Sequence, residues 1–246
     1  MTLWEILRAQ KFVRSDDLFT RLAAERLNGG RMPRNTIAIQ HGAGTFKATA
    51  EGKNVVWQYG TQEIQGNTCE FTIAEDSAQI LVSFDGLLTK FENKSDAQTL
   101  LDLSDLGGLA TNYLNLYNCS NVTGDLSALG GRITHYLGLY NCSKITGSLA
   151  DLGGKITHWI NLGGCRNVTG VYSGDSYPTS VNLSNTGLTA ADMDQTLINF
   201  NAGATSAGTF TAKSMTRTAA SDDAVAGLTA RGWKFTGLTK LEEAGT

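Results

Sequence analysis

One phrase occurs three times at a fixed interval in this chain, and that interval limits what the chain can fold into. The phrase reads Tyr-Leu-Asn-Leu-Tyr-Asn-Cys-Ser-Asn-Val-Thr-Gly from Tyr113, and it returns with small changes from Tyr136 and from Trp159, a period of 23 residues. A unit of this length cannot bury its apolar face alone, so its copies must stack on one another. The period therefore predicts a solenoid, in which successive coils share one hydrophobic core.

A second phrase fills the interval between copies of the first. It reads Asp-Leu-Ser-Asp-Leu-Gly-Gly at 102–108, and related versions follow at 125–131 and 148–154. Each coil is therefore predicted to contain a short Leu-x-Leu strand, a turn through a cysteine, a Val/Ile-Thr-Gly bend and a return leg closed by Gly-Gly. The earliest version indicates that the first coil begins upstream of Tyr113.

These strand and turn positions resemble the leucine-rich repeat family, whose consensus Leu-x-x-Leu-x-Leu-x-x-Asn/Cys-x-Leu places one strand on the same face of every coil. The matching residues are Leu114, Leu116, Cys119, Leu137, Leu139, Cys142, Ile160, Leu162 and Cys165. Val181 and Leu183 continue the pattern, with Thr186 at the cysteine position. The next apolar residue comes one position later than in the consensus, which favours a cysteine-type or bacterial variant. The resemblance covers about residues 87–236 and implies a ladder of parallel strands.

The repeated cysteines are interpreted as structural thiols. Because they share one repeat position, they are expected to stack at about the 4.8 Å spacing of neighbouring strands. The resemblance implies that they point inward and satisfy the turn. A disulfide and a metal site remain as alternatives, although three ligands in a straight row do not form the tetrahedron that zinc prefers. The fourth cysteine, Cys69, lies outside the repeats.

Residues 1–33 are predicted to form a helical arm. Thr2-Leu-Trp-Glu5 has the spacing of a capping box, Ser15 begins a second helix, and Gly29-Gly30 ends it. Large apolar residues lie along this arm: Leu3, Trp4, Leu7, Leu18, Phe19 and Leu22. They have no core of their own, so the arm is predicted to pack on the neighbouring domain or to dock into a larger assembly. Binding to a membrane surface is a third alternative.

From residue 34 to residue 86, apolar residues alternate with polar ones as they do in β-strands. Five short runs separated by Gly and Asn turns predict a small β-sandwich, which would cap the open end of the first coil. Its Val55, Trp57 and Gly60 resemble an element of the immunoglobulin-like modules of bacterial surface and bacteriophage proteins. The predicted fold class is therefore α+β: arm 1–33, sandwich 34–86 and solenoid 87–246.

The end of the chain is predicted to close the solenoid. Thr189 begins a helix that ends near Asn199, Ser221 caps another helix, and a strand follows each of them. The bulky residues Trp233 and Phe235 are expected to cover the last coil.

The residues that alternate with the leucines are predicted to point outward from the strands. We call seven of them the aromatic panel: Tyr113, Asn115, Tyr117, Tyr136, Tyr140, Trp159 and Asn161. Tyr and Trp provide large, rigid contact areas and are enriched where proteins bind partners, and glycans also stack on aromatic rings. The panel is predicted either to bind a protein or glycan partner, or only to stabilise the strands by stacking.

Other classes of function find little support in the sequence. A net charge of −3 and a pI of about 5.6 give no nucleic-acid footprint, and no apolar run approaches the ~20 residues of a membrane span. No hydrolase, zinc-protease or phosphate-loop motif occurs, and we expect no cofactor. His135 and His158 share one repeat position, so duplication explains them. The N-terminus lacks the features of a secretory signal, so synthesis in the cytoplasm is expected.

The sequence therefore predicts a non-enzymatic interaction protein or structural protein. The leading hypothesis is a subunit of a larger assembly, such as a virion decoration or tail-associated adhesion protein of a bacteriophage. It would dock through the arm and present the panel for protein–protein interaction or for a cell-surface glycan. The alternative is a free-standing bacterial leucine-rich-repeat protein that binds a protein or glycan. Both rest on analogy at the level of the fold.

Overall fold

The computed structural model describes residues 35–242 of the chain. Within this range the protein is a mixed α/β structure that contains a mostly parallel sheet and few helices. One sheet has 12 strands, and a second sheet has three. The predicted arm, with Leu3, Trp4, Leu7, Leu18, Phe19 and Leu22, lies outside the described residues.

Six strands come before the first copy of the Tyr113 phrase. They are β1 (Asn35–His41), β2 (Gly44–Tyr59), β3 (Gln62–Gln65), β4 (Thr68–Ile73), β5 (Ala78–Glu92) and β6 (Thr99–Leu100). They pair with one another in antiparallel fashion: β1 lies between β5 and β6, and β2 pairs with β3, β4 and β5. Their inward residues form an apolar core because buried residues alternate with more exposed ones along β1, in both halves of β2 and in the first half of β5.

The long strand β2 bends so that its two halves face each other. The bend lies where the register against β5 shifts, between Glu51 and Val56. Phe46 and Trp57 lie on opposite sides of the bend, yet their ring centroids are 6.3 Å apart. In a straight strand residues with this separation would be about 35 Å apart. The bend therefore gives the antiparallel region two facing layers, which is compatible with the predicted sandwich.

The boundary predicted between residues 86 and 87 does not coincide with a change of element. Strand β5 continues to Glu92, and its last residues pair in parallel with β7 (Ala110–Asn115), the first repeat strand. Strands β2 and β5 are long and contain many apolar residues, and this favours one continuous sheet over two separate modules. The antiparallel region and the repeats thus share a single hydrogen-bonded sheet within residues 35–242.

The repeat strands run parallel and lie side by side. After β7 come β9 (Tyr136–Gly138), β11 (Trp159–Asn161), β13 (Ser180–Asn182), β14 (Thr209–Arg217) and β15 (Lys234–Lys240). Leu114 is in register with Leu137, which is in register with Ile160. Both leucines are fully buried and Ile160 is almost so. The ladder of parallel strands that the resemblance implied is therefore present.

The return legs contain more regular structure than the sequence analysis predicted. The strands β8 (Thr123–Asp125), β10 (Lys144–Ser148) and β12 (Asn167–Thr169) form the three-stranded parallel sheet. Each copy of the second phrase forms one short helical turn: α1 (Leu103–Leu106) and 3-10 helices at Leu126–Leu129 and Leu149–Leu152. The cause is local, because an Asp or Ser side chain caps each turn and a left-handed glycine ends it.

The last two repeats use α-helices on the return leg. Helix α2 (Ala190–Gly203) begins at a capping box of Thr189 and Asp192, and α3 (Asp222–Ala230) follows a 3-10 helix at Ala219–Ser221. Helix α2 ends four residues later than the predicted end near Asn199, and the strand predicted after the second helix is β15. Trp233 is buried with its ring centroid 5.6 Å from that of Phe200, so it packs at the end of the ladder as expected.

The three repeated cysteines are free, buried and hydrogen-bonded. Each thiol donates to a main-chain carbonyl of the preceding repeat at 3.0 Å; for Cys119, Cys142 and Cys165 the acceptors are Asn93, Leu116 and Leu139. Burial raises the pKa of Cys119 to about 11 and that of Cys165 to about 12. The thiols therefore link neighbouring repeats as small hydrogen-bonding core residues.

We expect the thiols of the folded protein to be unreactive toward a disulfide reagent such as DTNB in mildly alkaline buffer. Only the thiolate attacks, and burial keeps Cys119 and Cys165 in the thiol form. After unfolding in guanidinium, all four cysteines should react at the rate of free cysteine. The absorbance of the released thionitrobenzoate measures both stages. Fast reaction of any thiol before unfolding would contradict this arrangement.

Candidate binding face

The outward residues of the parallel strands form two straight rows across the sheet. The first row contains Lys90, Tyr113, Tyr136, Trp159, Ser180 and Thr209, and the second contains Glu92, Asn115, Gly138, Asn161, Asn182 and Thr211. Tyr117 and Tyr140 come directly after the strands. The seven residues of the aromatic panel therefore lie on neighbouring repeats, where the sequence placed them.

The aromatic rings of the panel contact one another. Tyr113 stacks on Tyr136 with centroids 4.2 Å apart, and Tyr117 stacks on Tyr140 at 4.8 Å. Trp159 meets Tyr136 edge to face at 4.4 Å. Tyr136 lies between two rings and is only 9% exposed, whereas the other four aromatic residues are half-buried. Tyr136 can therefore offer little area to a partner, and its main contacts are within the stack.

Two glycines make room for these rings. A Cβ atom at Gly138 would lie 2.9 Å from Cε1 of Tyr136, and one at Gly163 would lie 2.9 Å from Cδ2 of Tyr140. Both distances are too short for ordinary contact, so any larger residue would displace a tyrosine ring. The change from Asn115 in one repeat to Gly138 in the next thus allows the Tyr136 ring to lie against the sheet.

The asparagines of the panel hold the ends of their own strands. Oδ1 of Asn115 accepts a hydrogen bond from the amide of Tyr117 at 3.2 Å, and Oδ1 of Asn161 accepts one from the amide of Gly163 at 3.3 Å. Asn115 and Asn161 are each 5% exposed. Asparagine favours this local bond to the amide two residues on. The two asparagines therefore fix the turn after each strand, a role that the sequence analysis did not predict.

Glu92 is a member of the face that the sequence analysis missed. Its Oε2 accepts hydrogen bonds from Tyr113 Oη at 3.1 Å and from Asn115 Nδ2 at 3.2 Å. Burial alone raises the pKa of Glu92, but bonds from Asn115 and Tyr113 and the charges of Lys94 and Lys90 outweigh it, so the pKa is lower than usual. The only signal in the sequence is that Glu92 comes one repeat period before Asn115.

Lysine side chains complete the charged end of the face. Nζ of Lys90 lies 5.1 Å from the centroid of the Tyr113 ring and 3.5 Å from Oε1 of Glu51. Nζ of Lys94 lies 3.4 Å from Oε1 of Glu92. Because each lysine has an acidic partner, this end of the face attracts charged ligands only weakly.

The two repeated histidines directly precede Tyr136 and Trp159 of the first row. His135 and His158 are exposed and stack with centroids 4.8 Å apart and planes 6° apart. No group of three or more metal-ligating side chains occurs within residues 35–242. Their stacking follows from the repeat register, as the duplication of the phrase predicts.

Comparison with known proteins assigns no family. No family model, curated protein or solved structure matches this chain. Among residues 35–242, no helix combines the length and the apolar character that crossing a membrane requires.

Proposed function

We propose that this chain is an interaction protein whose repeat region is a leucine-rich-repeat-like solenoid. The proposal draws on the common register of Leu114, Leu137 and Ile160 and on the thiols that join each repeat to the one before. Stacked units of this kind form extended surfaces that proteins use for binding.

The observation that carries the proposal is the uninterrupted face of aromatic, amide and hydroxyl side chains on the parallel strands. Aromatic residues in a row are unusual on a passive surface, and Tyr and Trp dominate binding surfaces. The panel was predicted either to bind a partner or to stabilise the strands by stacking, and different residues support each role. The burial of Tyr136 favours stacking, whereas Trp159, Tyr117 and Tyr140 retain exposed area for a partner.

We further propose that the chain is a subunit of a larger assembly, a bacteriophage virion or tail-associated protein, made in the cytoplasm and docked through residues 1–33. This step rests on the apolar residues of that segment, which include Trp4 and Phe19. A free-standing bacterial repeat protein remains the second candidate, since the face suits either setting.

Deletion of residues 1–30 tests the docking arm. We expect the truncated chain to keep the circular dichroism and unfolding transition of the repeat region but to sediment as free protein instead of joining its particle. The full-length chain, expressed beside it, is the control. A truncated chain that still joins the particle would contradict docking through residues 1–33.

Two substitutions in the first row separate binding by the face from stacking within it. Trp159→Ser gives this repeat the residue that the next repeat has at Ser180, so we expect the fold to tolerate it while capture of the partner falls about tenfold. Tyr136→Ala should instead lower the free energy of unfolding by about 3 kcal/mol, because it empties a buried ring site. Chemical denaturation and a pull-down from host lysate measure the two effects. Unchanged capture by Trp159→Ser would contradict the proposed face.

A further inference from the structure

The aromatic part of the face ends abruptly at one strand. Trp159 is the last ring of the first row, since its register partner on the far side is Ser180. Beyond it both rows continue with small polar side chains, and we call these four residues the polar shelf: Ser180, Asn182, Thr209 and Thr211. The shelf is two strands wide, about 10 Å, which is the size of one or two sugar rings. Trp159 therefore stands at the edge of a shallow polar surface.

Several polar groups at this edge are free to bind a ligand. Within residues 35–242, Nε1 of Trp159 and the hydroxyl of Thr211 form no hydrogen bond, and both residues are half-buried. Nδ2 of Asn161 also forms none, but Asn161 is only 5% exposed and holds the turn after its strand. Asn182 donates to Oδ1 of Asn161 at 3.0 Å, which holds its amide in place between the two strands. The available groups are mostly donors beside an aromatic ring, on a rigid parallel sheet.

The shelf carries no charge. Neither its four residues nor Trp159 and Asn161 are ionisable. Two lysines border the side of the shelf that lies away from Trp159: Lys234 is the register partner of Thr209, and Lys213 lies two residues after Thr211 on β14. An anionic ligand would require a cation at the centre of the site, and an apolar peptide side chain would require a hydrophobic pocket. An uncharged ligand with many hydroxyl groups matches both the lack of charge and the free donors.

We infer that the polar shelf binds a neutral saccharide, with the C–H groups of a sugar ring against Trp159 and its hydroxyl groups toward Asn182 and Thr211. The inference rests on the proposed function, because it names the ligand of the same face. In this arrangement the stacked rings of Tyr113 and Tyr136 stabilise the sheet, and Trp159 contacts the saccharide. Since no ion pair takes part, affinity should be nearly independent of salt.

The first test is a glycan array that contains neutral, sialylated and sulfated oligosaccharides. The neutral oligosaccharide that binds best is then titrated into the protein while tryptophan fluorescence is measured. We expect binding to neutral glycans and a change in emission on titration. Ser180→Tyr should continue the aromatic row across the shelf and reduce affinity about tenfold while the unfolding transition stays unchanged. Thr169→Tyr, an exposed residue of β12 on the other sheet, is the matched control and should bind normally.

These experiments distinguish failure of the neutral-saccharide site from failure of the proposed interaction face. Binding to sialylated or sulfated glycans only, or equal affinity of Ser180→Tyr and the native chain, would overturn the neutral-saccharide site. If no glycan binds but Ser180→Tyr still prevents capture of a protein partner, the saccharide inference fails and the proposed interaction face stands. If neither glycan nor partner binding responds to changes at the shelf, both fail.

Discussion

Asp194→Ala is expected to lower the free energy of unfolding by about 4 kcal/mol. Asp194 lies on α2, is 5% exposed, and accepts hydrogen bonds from the amide of Thr218 at 3.0 Å and from its hydroxyl at 2.6 Å. The hydroxyl of Ser221 donates to the same carboxylate at 2.5 Å. The alanine would leave the buried hydroxyl of Ser221 and the half-buried amide and hydroxyl of Thr218 without this acceptor. The loss is large because the donors come from the segment that connects β14 to α3 and cannot easily turn toward water.

Urea denaturation followed by circular dichroism measures this loss. Asp175→Ala is the matched control, because Asp175 is exposed and its side chain forms no hydrogen bond within residues 35–242, so its free energy of unfolding should change by less than about 0.5 kcal/mol. Asp194→Asn should fall between the two, since it keeps one acceptor oxygen. A loss below about 1 kcal/mol for Asp194→Ala would show that this carboxylate does not hold the end of the ladder.

The period of the sequence was sufficient to predict which apolar residues align. Identical residues at a fixed spacing must occupy equivalent places if the units stack, and the register of Leu114 with Leu137 follows directly. Helix α2 was also predictable, because the capping box at Thr189 is a local signal. These features depend on residues close in sequence or repeated in it.

The relation between the repeats and the antiparallel region was not predictable in the same way. Strand β5 carries no copy of the repeated phrase, so only a spacing of one repeat period from Tyr113 and Asn115 marks Lys90 and Glu92 as the first members of the two rows. The bend in β2 that joins Phe46 to Trp57 is a tertiary feature. For that reason the sequence suggested a boundary where the structure has a continuous strand.

The sequence also did not predict which residues of the aromatic panel are exposed and which are buried. Tyr136 and Trp159 occupy the same repeat position, yet Tyr136 is buried between two rings and Trp159 is bordered by Ser180. Exposure in a stacked row depends on the side chain that the next repeat supplies. A sequence analysis that treats each repeat alone therefore assigns both residues the same role.

Gly147→Ala is expected to cost about 4 kcal/mol of stability, for two separate reasons. Gly147 has a φ of +108°, a backbone conformation that residues with a Cβ atom rarely adopt. In addition, the new Cβ would lie 2.8 Å from the amide nitrogen of Leu126 and from Oδ1 of Asp125 in the preceding repeat. Because one of these atoms belongs to the backbone, the two return legs would have to separate.

Gly66→Ala distinguishes the two contributions to that cost. Gly66 has a similar φ of +125°, but nothing lies within 4 Å of the position that a Cβ would take, so only backbone strain of about 1–2 kcal/mol should remain. The difference between the two variants in urea denaturation then measures the close approach of neighbouring repeats at Gly147. Equal costs for the two variants would mean that the return legs are not packed as tightly as stacked repeats require. We would then no longer infer a rigid sheet beneath Trp159 and Ser180.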